Sequence, residues 1–283
     1  MKDIVDTRNT APVWFVTGTS SGFGHSIASE AIARGHRVVA TARNPGDLEE
    51  LVALAPDRVL ALRLDVTRPA EIDAALAAAY ERFGAVDVLV NNAGYTLSGA
   101  IEETSDAELR AAFEPMFFGA LALTRAVLPH LRARGSGTIV QITSAAGLCT
   151  GPGFGAYSAV KYSLEAASEA LAGEIAPLGL KVLLVEPGMF RTSLLGANYR
   201  AMPALPAYEA TMAPMRAYTD SQRDAQAGDP HKAAKAIVDA VEAGVPTLRL
   251  PLGGDAVEMI RGAMARLAAD VDRHEPLARS TSF

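Results

Sequence analysis

The chain has 283 residues, of which 49% are hydrophobic and 20% are charged, with a formal net charge of −6. This composition is typical of a globular protein with a sizeable core, and the negative charge argues against a nucleic-acid-binding surface, which usually carries a basic patch. Cys149 is the single cysteine, which excludes an internal disulfide and favours a reducing, cytoplasmic setting. We expect it to be a small buried residue and not a nucleophile.

Short apolar runs alternate with helical patterns along the chain. The predicted strands are, in order, VWFVT, RVVATA, RVLALRLDV, VDVLVNNAG, GTIVQITS, LKVLLVEPG and TLRLPL. The predicted helices are GHSIASEAIARG, GDLEELVAL, PAEIDAALAAAYERFG, a long segment around Phe113, YSAVKYSLEAASEALAGEIAPLG and PHKAAKAIVDAVEAG. Because the strands are apolar on both faces, this order predicts an α/β fold, with a single doubly wound parallel sheet of about seven strands and helices on both faces.

No repeat, low-complexity tract or linker divides the chain, so we expect one domain over residues 1–283. Residues 189–228 are rich in Met, Pro, Tyr and Ala without strong periodicity, which is typical of a flexible surface loop or a lid over a substrate pocket. Residues 253–283 are predicted to form a C-terminal helical extension. The first dozen residues show no signal-peptide hydrophobic block, and no apolar run approaches the ~20 residues of a membrane-spanning helix. We therefore expect no membrane association.

A glycine-rich stretch, TGTSSGFG, places Gly18, Gly22 and Gly24 between the first strand and the first helix. Glycines there allow a tight turn and a close approach to a pyrophosphate, while the helix N-terminus offers amide donors and a positive dipole end. The spacing differs from G-x-G-x-x-G, so the loop alone leaves open a strand–helix turn without a ligand.

Five motifs follow one another in order: TGTSSGFG, NNAG at 91–94, ITS at 142–144, YSAVK at 157–161 and EPGMFRT at 186–192. Together they resemble the short-chain dehydrogenase/reductase family, and the tail RHEPLARSTSF resembles its bacterial steroid- and retinol-dehydrogenase-like branch. The resemblance implies a single NAD(P)-binding Rossmann domain. It implies a cofactor site made of Gly18, Ser20, Ser21, Gly22, Phe23, Gly24, Asp65, Val66, Asn91, Ala93, Gly94, Tyr157, Lys161, Pro187, Gly188 and Thr192. Asn91 as a bridge between strands and Gly188 as a turn residue remain open alternatives.

The second strand, RVVATARN, bears on the choice of nicotinamide cofactor. An NAD site of this kind normally has an acidic residue at the end of that strand, which binds the ribose hydroxyls. Here Ala42 occupies the position and Arg43 follows. A carboxylate would repel a 2′-phosphate, whereas an arginine binds one. The pattern favours NADP(H), with a solvated surface role for Arg43 as the alternative.

Tyr157 and Lys161 are the predicted catalytic pair. Their spacing of four places both side chains on one face of a helix, and a nearby ammonium together with a cationic nicotinamide ring favours the phenolate over the neutral phenol. Tyr157 then exchanges a proton with a carbonyl or alcohol oxygen. The resemblance adds Ser144 as a hydrogen-bond partner of the same oxygen and Lys161 as a ligand of the nicotinamide ribose.

FEPMFFGAL, residues 113–121, departs from the family pattern. Met116 stands where relatives usually carry an asparagine, whose main-chain carbonyl holds a water of the proton relay. Pro115 frees the carbonyl of Ala111 from its helical partner and bends the helix. We hypothesise that proline replaces the structural role of the asparagine. A damaged relay, or a methionine that shapes an apolar pocket, are the alternatives.

These observations predict an NADPH-dependent oxidoreductase that transfers hydride between the nicotinamide and a ketone or secondary alcohol. Its small-molecule substrate is expected to be hydrophobic, and to contact Ser144, Tyr157, Met116 and Met189. A fold-related isomerase, epimerase or cyclase, or an NADP(H)-binding protein without turnover, are the other readings. The five histidines form no metal-ligand spacing, so no metal is expected. A homodimer or homotetramer is expected by resemblance.

Overall fold

The computed structural model describes residues 11–223 and 225–283. Its strands are β1 (Val13–Thr17), β2 (Arg37–Ala42), β3 (Val59–Arg63), β4 (Val88–Asn91), β5 (Thr96–Ser98), β6 (Gly137–Ile142), β7 (Leu180–Pro187), β8 (Tyr199–Ala201) and β9 (Arg249–Leu252). Its α-helices are α1 (Gly22–Ala33), α2 (Glu49–Leu54), α3 (Pro69–Phe83), α4 (Asp106–Phe113), α5 (Ala120–Arg134), α6 (Gly155–Ile175), α7 (Glu209–Ser221), α8 (Pro230–Glu242) and α9 (Gly254–Arg279).

Seven strands form one parallel sheet in the order β3-β2-β1-β4-β6-β7-β9. This is a Rossmann-type α/β fold, and the prediction of a parallel sheet of about seven strands is confirmed. The strand order reverses direction between β1 and β4. In open sheets of this kind, ligands bind outside the carboxyl ends of the strands at such a reversal.

The two faces of the sheet are covered by separate sets of helices. Alternate residues of β1 show the division, since Trp14 and Val16 pack with α1 and α8, while Val13 and Phe15 pack with α3 and α5. All four side chains are essentially fully buried. Burial on both faces explains why the strands read as continuous apolar runs rather than alternating ones.

A π-helix, Glu114–Gly119, joins α4 to α5. The predicted distortion at Pro115 is therefore confirmed. The continuous helical stretch Asp106–Arg134 is long and apolar enough to cross a membrane, so the expectation that no segment meets that test is wrong on length and composition. Here the stretch is a core element, because Leu123 and Val127 are fully buried against the sheet. Such a helix is weak evidence for a membrane.

Residues 189–228 contain more regular structure than the sequence predicted. The aperiodic reading is wrong for 209–221, which form α7, and for Tyr199–Ala201, which pairs in parallel with Thr96–Ser98 as a second, two-stranded sheet. This small sheet attaches the segment beside the carboxyl edge of the main sheet. Farther along, α9 packs near its start through the buried Ala256 and exposes most of its remaining length.

Candidate active site

A cleft of about 690 Å³ opens at the carboxyl ends of the strands. Its volume lies within the range of small-molecule sites. Of the predicted residues, those that line it are Gly18, Ser20, Ser21, Gly22, Phe23, Arg43, Asp65, Val66, Ala93, Gly94, Met116, Ser144, Tyr157, Lys161, Pro187, Gly188 and Thr192. The five sequence motifs thus meet in one place: four of them lie at or just after the carboxyl end of a parallel strand, and YSAVK lies in the first turns of α6.

The glycine loop forms one wall of the cleft. Gly18 and Gly22 have φ angles of 69° and 59°, which residues other than glycine adopt only with strain. A Cβ on Gly24 would lie 2.2 Å from the Gly18 carbonyl oxygen and 2.5 Å from Asn92 Nδ2. Gly24 therefore lies beneath the loop, where it permits close packing, and does not line the cleft as predicted.

Asn92 secures the loop from below, a role that the sequence analysis missed. Its Nδ2 donates to the carbonyl oxygens of Thr17 and Gly18, at 2.8 and 3.1 Å. Thr17 Oγ1 in turn accepts from the backbone amides of Asn92 and Ala93, at 2.9 and 3.0 Å. The second asparagine of NNAG was the available signal, because an amide at a strand end readily bonds backbone groups.

Asn91 points away from the main cleft. Its Nδ2 donates to Thr124 Oγ1 at 3.0 Å and to the Ala120 carbonyl at 3.4 Å, so it ties β4 to α5. The side chain thus joins a strand to a helix, which differs from the considered bridge between strands, and its assignment to the cofactor cleft is corrected.

The adenosine end of the cleft lies at the carboxyl ends of β2 and β3. Ala42, Arg43, Asp65 and Val66 line it, together with Thr67. Burial alone would raise the pKa of Asp65, but hydrogen bonds from Thr67 and the charges of Arg68 and Arg43 hold it below the usual value. The Arg43 side chain is exposed and free to meet an anionic ligand at this end.

The opposite end is bounded by the EPGMFRT motif. Ser21 and Ser193 hydroxyls lie 2.9 Å apart and link the glycine loop to this wall, and the rings of Phe23 and Phe190 pack with centroids 5.1 Å apart. Met189 does not line the cleft: its amide donates to Asp255 at 2.7 Å, while Phe190 lines the cleft. The predicted substrate contact at Met189 is therefore corrected, because Phe190 and not Met189 contributes to the cleft wall here.

Ser144, Tyr157 and Lys161 come together on the floor of the cleft. Tyr157 and Lys161 are one turn apart on α6, with Lys161 Nζ 5.7 Å from the tyrosine ring centroid. Lys161 Nζ donates to the Ile142 carbonyl at 2.9 Å. Ser144 Oγ accepts from the Ala146 amide at 3.1 Å and donates weakly to the Pro187 carbonyl at 3.4 Å. These contacts hold the polar atoms of the three residues beside one another.

Burial dominates the proton affinities of this group. It raises the pKa of Tyr157, while hydrogen bonding by the Thr96 and Ser144 hydroxyls acts in the opposite direction. Burial also lowers the pKa of Lys161 to about 8, against the opposing charge of Glu165. Thr96, on β5, was missed by the sequence analysis, because nothing in NNAGYTL identifies which residue faces the tyrosine.

Met116 lies inside the π-helix and is 2% exposed. Beside it is a second cavity of about 10 Å³, bordered by Asn91, Pro115, Met116 and Lys161, among others. That volume is about the minimum that a single water needs. Pro115 and Met116 of the π-helix therefore border the same small cavity as the buried Lys161.

The residues present fit a nicotinamide dinucleotide, with open glycine amides at the centre, an arginine at one end and the tyrosine–lysine pair at the other. The cleft is also lined by Tyr95, Glu114, Leu194, Asn198 and Arg200, none of them predicted. Arg200 stacks over the Tyr95 ring at 4.2 Å. Across residues 11–223 and 225–283, no group of three or more His, Cys, Asp or Glu side chains is arranged to hold a metal ion.

Comparison with known proteins agrees with this geometry. Residues 12–203 match the family model described as short chain dehydrogenase. The chain is 34% identical to the oxidoreductase BOA17 of Botryotinia fuckeliana over 95% of this chain and 99% of that one. It is 48% identical to a short-chain dehydrogenase of Streptomyces avermitilis, covering 96% and 100% of the two chains with a TM-score of 0.90.

A short-chain dehydrogenase/reductase of Burkholderia phymatum, solved in complex with NAD, is also similar. It is 25% identical, with a TM-score of 0.78 and coverage of 89% and 92% of the two chains. The family model spans the glycine loop, the serine, the tyrosine–lysine pair and the EPGMFRT wall. The chain therefore belongs to the short-chain dehydrogenase family of oxidoreductases.

Proposed function

We propose that the protein is an NADPH-dependent oxidoreductase that interconverts a ketone and a secondary alcohol. The observation that carries the proposal is the arrangement of Ser144, Tyr157 and Lys161 on the floor of a cleft bounded by a glycine loop. Bound NADP(H) supplies or accepts the hydride. The protein residues orient the substrate, exclude water and move one proton.

Tyr157 is the proposed acid and base. In reduction its hydroxyl donates a proton to the carbonyl oxygen as hydride reaches the carbon, and in oxidation the phenolate removes the alcohol proton. Ser144 donates a hydrogen bond to the same oxygen. Lys161 favours the phenolate through its positive charge and binds the nicotinamide ribose. Its buried position beside Tyr157 supports both roles.

NADP(H) is favoured over NAD(H) by the adenosine end of the cleft. Ala42 supplies no carboxylate at the end of β2, and the exposed Arg43 lines the cleft. A guanidinium binds a 2′-phosphate through charge-assisted hydrogen bonds. The carboxylate of Asp65 is engaged with Thr67 Oγ1 at 2.7 Å, which leaves Arg43 as the charged group that faces a phosphate.

The substrate is proposed to be hydrophobic. Leu97, Met116 and Met202 form a buried apolar cluster with Tyr157, and Tyr95 and Phe113 pack against it. Residues 189–228 cover this side and take the role of a lid. Membership of the steroid- and retinol-dehydrogenase-like branch, a cytoplasmic location and a homodimeric or homotetrameric state remain proposals from the sequence.

The decisive experiment follows loss of NADPH absorbance with a panel of ketones and aldehydes. We expect activity in the wild type and in Tyr162→Phe, and loss of activity in Tyr157→Phe. Tyr162 is a matched control, because it lies on the same helix and is 42% exposed. Equal activity in the two phenylalanine variants would contradict the proposed role of Tyr157.

An isomerase, epimerase or cyclase is the second candidate, favoured by Met116 in place of the family asparagine. Such enzymes use the same cleft without net consumption of cofactor. NADPH binding without oxidation across the whole panel, together with conversion of a chiral alcohol or sugar, would support this candidate. NADPH binding with no conversion of any substrate would favour a binding protein without turnover.

A further inference from the structure

A buried charge cluster lies one helical turn from Lys161. Arg249, on β9, places its Nε 3.4 Å from Glu165 Oε2 on α6 and 3.2 Å from Glu186 Oε1 on β7. Its Nη2 also donates to Glu169 at 2.8 Å. The side chains of Glu165 and Glu186 are 4% and 1% exposed, whereas that of Glu169 is 61% exposed. Two buried carboxylates therefore share a single guanidinium.

The buried pair carries more negative charge than Arg249 neutralises. Among residues 11–223 and 225–283, neither carboxylate oxygen of Glu165 has a hydrogen-bond partner, nor has Oε1 of Glu186. Burial raises the pKa of both carboxyl groups, and the charge of Glu165 adds to the effect at Glu186, whose pKa rises to about 7 despite Arg249. Two carboxyl groups that share one site generally hold one proton between them. A proton on Glu186 also supplies a donor that the unpartnered oxygens lack.

Lys161 is the cation that this cluster faces along α6. Residues 161 and 165 are four apart, so their side chains lie on the same face of the helix. Lys161 is buried, and its ammonium has a single neutral acceptor, the Ile142 carbonyl. Burial disfavours the charged lysine, and the negative charge that opposes this effect belongs to Glu165.

Other charged groups around the cluster are engaged elsewhere. Asp255, from the first turn of α9, accepts from the Met189 amide, and Glu169, although it pairs with Arg249, is largely exposed to solvent. The short turn Ala145–Gly147, which packs on α6, carries no charge. A Cβ on Gly147 would lie 2.9 Å from Glu165 Cγ, so this turn confines the Glu165 side chain.

We propose that Glu165, paired with Arg249 and sharing a proton with Glu186, is a positioning residue that keeps Lys161 protonated. The inference rests on the proposed function, because the charge of Lys161 matters to the reaction through Tyr157. Glu165 is not among the residues that line the cleft, and it acts through the lysine. Its titration partner, Glu186, makes the local charge depend on pH near neutrality.

The test is a direct titration of Lys161, which needs no substrate. The chain has five lysines, at positions 2, 161, 181, 232 and 235, so carbon-13 labelling at lysine Cε gives few signals, and Lys161→Arg identifies the relevant one. We expect Glu165→Gln to lower the Lys161 midpoint by about one pH unit, a tenfold change in the protonation equilibrium. In Glu165→Asp the Lys161 midpoint should lie close to the wild-type value, because the carboxylate is retained.

Glu169→Gln is the matched control, because Glu169 also pairs with Arg249 but is exposed. We expect it to shift the Lys161 midpoint much less than Glu165→Gln does. An unchanged midpoint in a folded Glu165→Gln variant, or an equal shift in Glu169→Gln, would overturn the proposal. If no substrate is reduced, the proposed function fails, but the Lys161 titration still tests the role of Glu165. Failure of the proposed function can therefore be distinguished from failure of this inference.

Glu186→Gln provides a second test in case Glu165→Gln does not fold, which circular dichroism would reveal. In the wild type the Lys161 signal should titrate in two steps, one of them coupled to the shared proton. With an amide at position 186, Glu165 pairs with Arg249 alone and the curve should become a single step. Two steps that persist in this variant would also overturn the proposal.

Discussion

Met116 packs directly over Gly94, so that a Cβ on the glycine would lie 2.9 Å from the methionine Cγ and 3.0 Å from its Sδ. The methionine therefore fills the space between the π-helix and the NNAG turn. Pro115, its neighbour, cannot donate a backbone hydrogen bond. The π-helix thus combines an apolar side chain at the family asparagine position with a backbone that retains the distortion.

The first prediction concerns Pro115. If the distorted backbone supports the relay, Met116→Asn should change turnover by less than about tenfold, because the side chain is not the relay group. Pro115→Ala should lower turnover, since the helix regains a donor and straightens. Pro129→Ala is the control, as Pro129 lies within α5 outside the cleft. A large gain in kcat on Met116→Asn would show that the relay is damaged.

Arg43 carries the second prediction. Arg43→Ala should weaken NADPH binding about 10- to 100-fold, as expected for the loss of charge-assisted hydrogen bonds to a phosphate, with little effect on NADH. Ala42→Asp should shift the preference further from NADPH toward NADH, because its carboxylate repels the 2′-phosphate. Fluorescence titration with each cofactor measures the ratio of the NADPH and NADH dissociation constants. Arg68→Ala, which removes an equal charge outside the cleft lining, should leave it nearly unchanged. If NADPH and NADH affinities fall equally in Arg43→Ala, the assignment is wrong.

A third prediction uses two glycines. Gly24→Ala should abolish cofactor binding and lower stability, because its Cβ would clash with the Gly18 carbonyl at 2.2 Å. Gly173→Ala should instead stabilise the fold by about 0.5–1 kcal/mol, since Gly173 lies within α6 and a Cβ there meets nothing within 4 Å. Denaturant unfolding and cofactor titration of both variants test this difference. Equal changes in stability and in cofactor affinity for the two variants would refute the prediction.

Glu103 carries the fourth prediction, on the attachment of the lid. Its carboxylate accepts from the amides of Leu205 and Ala100, at 2.9 and 2.8 Å, and from Arg216 Nη2 at 2.6 Å. The two backbone hydrogen bonds, followed by Arg216, hold the pKa of Glu103 below its usual value. A carboxyl with a lowered folded pKa stabilises the fold above its unfolded pKa, and this stabilisation is lost as pH falls through the folded value.

Glu103→Gln should therefore lower Tm at neutral pH and flatten the dependence of Tm on pH below about 4.5, the ordinary glutamate value. Limited proteolysis should cut residues 200–220 faster in the variant. Glu102→Gln is the control, because Glu102 is exposed and accepts only from Tyr208 Oη. An acid dependence of Tm that survives unchanged in Glu103→Gln would exclude this role.

Local sequence signals predicted the main sheet well, because each strand is a continuous apolar run buried on both faces. The strand Thr96–Ser98 escaped detection, since it has three residues and pairs with residues about 100 positions away. Helix α7 carries Pro214 and many small residues, which weaken its helical pattern. Local periodicity contains no information about such distant partners.

The site was predicted where a motif alone fixes the geometry, as at Ser144, Tyr157 and Lys161. The prediction of the site failed where the direction of a side chain decides whether a residue faces the cleft. Asn91 and Asn92 are adjacent in one strand end, where successive side chains point to opposite faces, so one binds α5 and the other the glycine loop. Met189 and Phe190 are likewise adjacent in sequence, but only Phe190 lines the cleft.

The position of Arg249 in the chain has a consequence for biosynthesis. Glu165 and Glu186 belong to α6 and β7, whereas Arg249 arrives with β9, the final strand and an edge of the sheet. Glu165 and Glu186 are synthesised before Arg249, so any partly folded chain that lacks β9 leaves both carboxylates without their cation. Docking of β9 supplies that cation, so the buried cluster is assembled only when the sheet is complete.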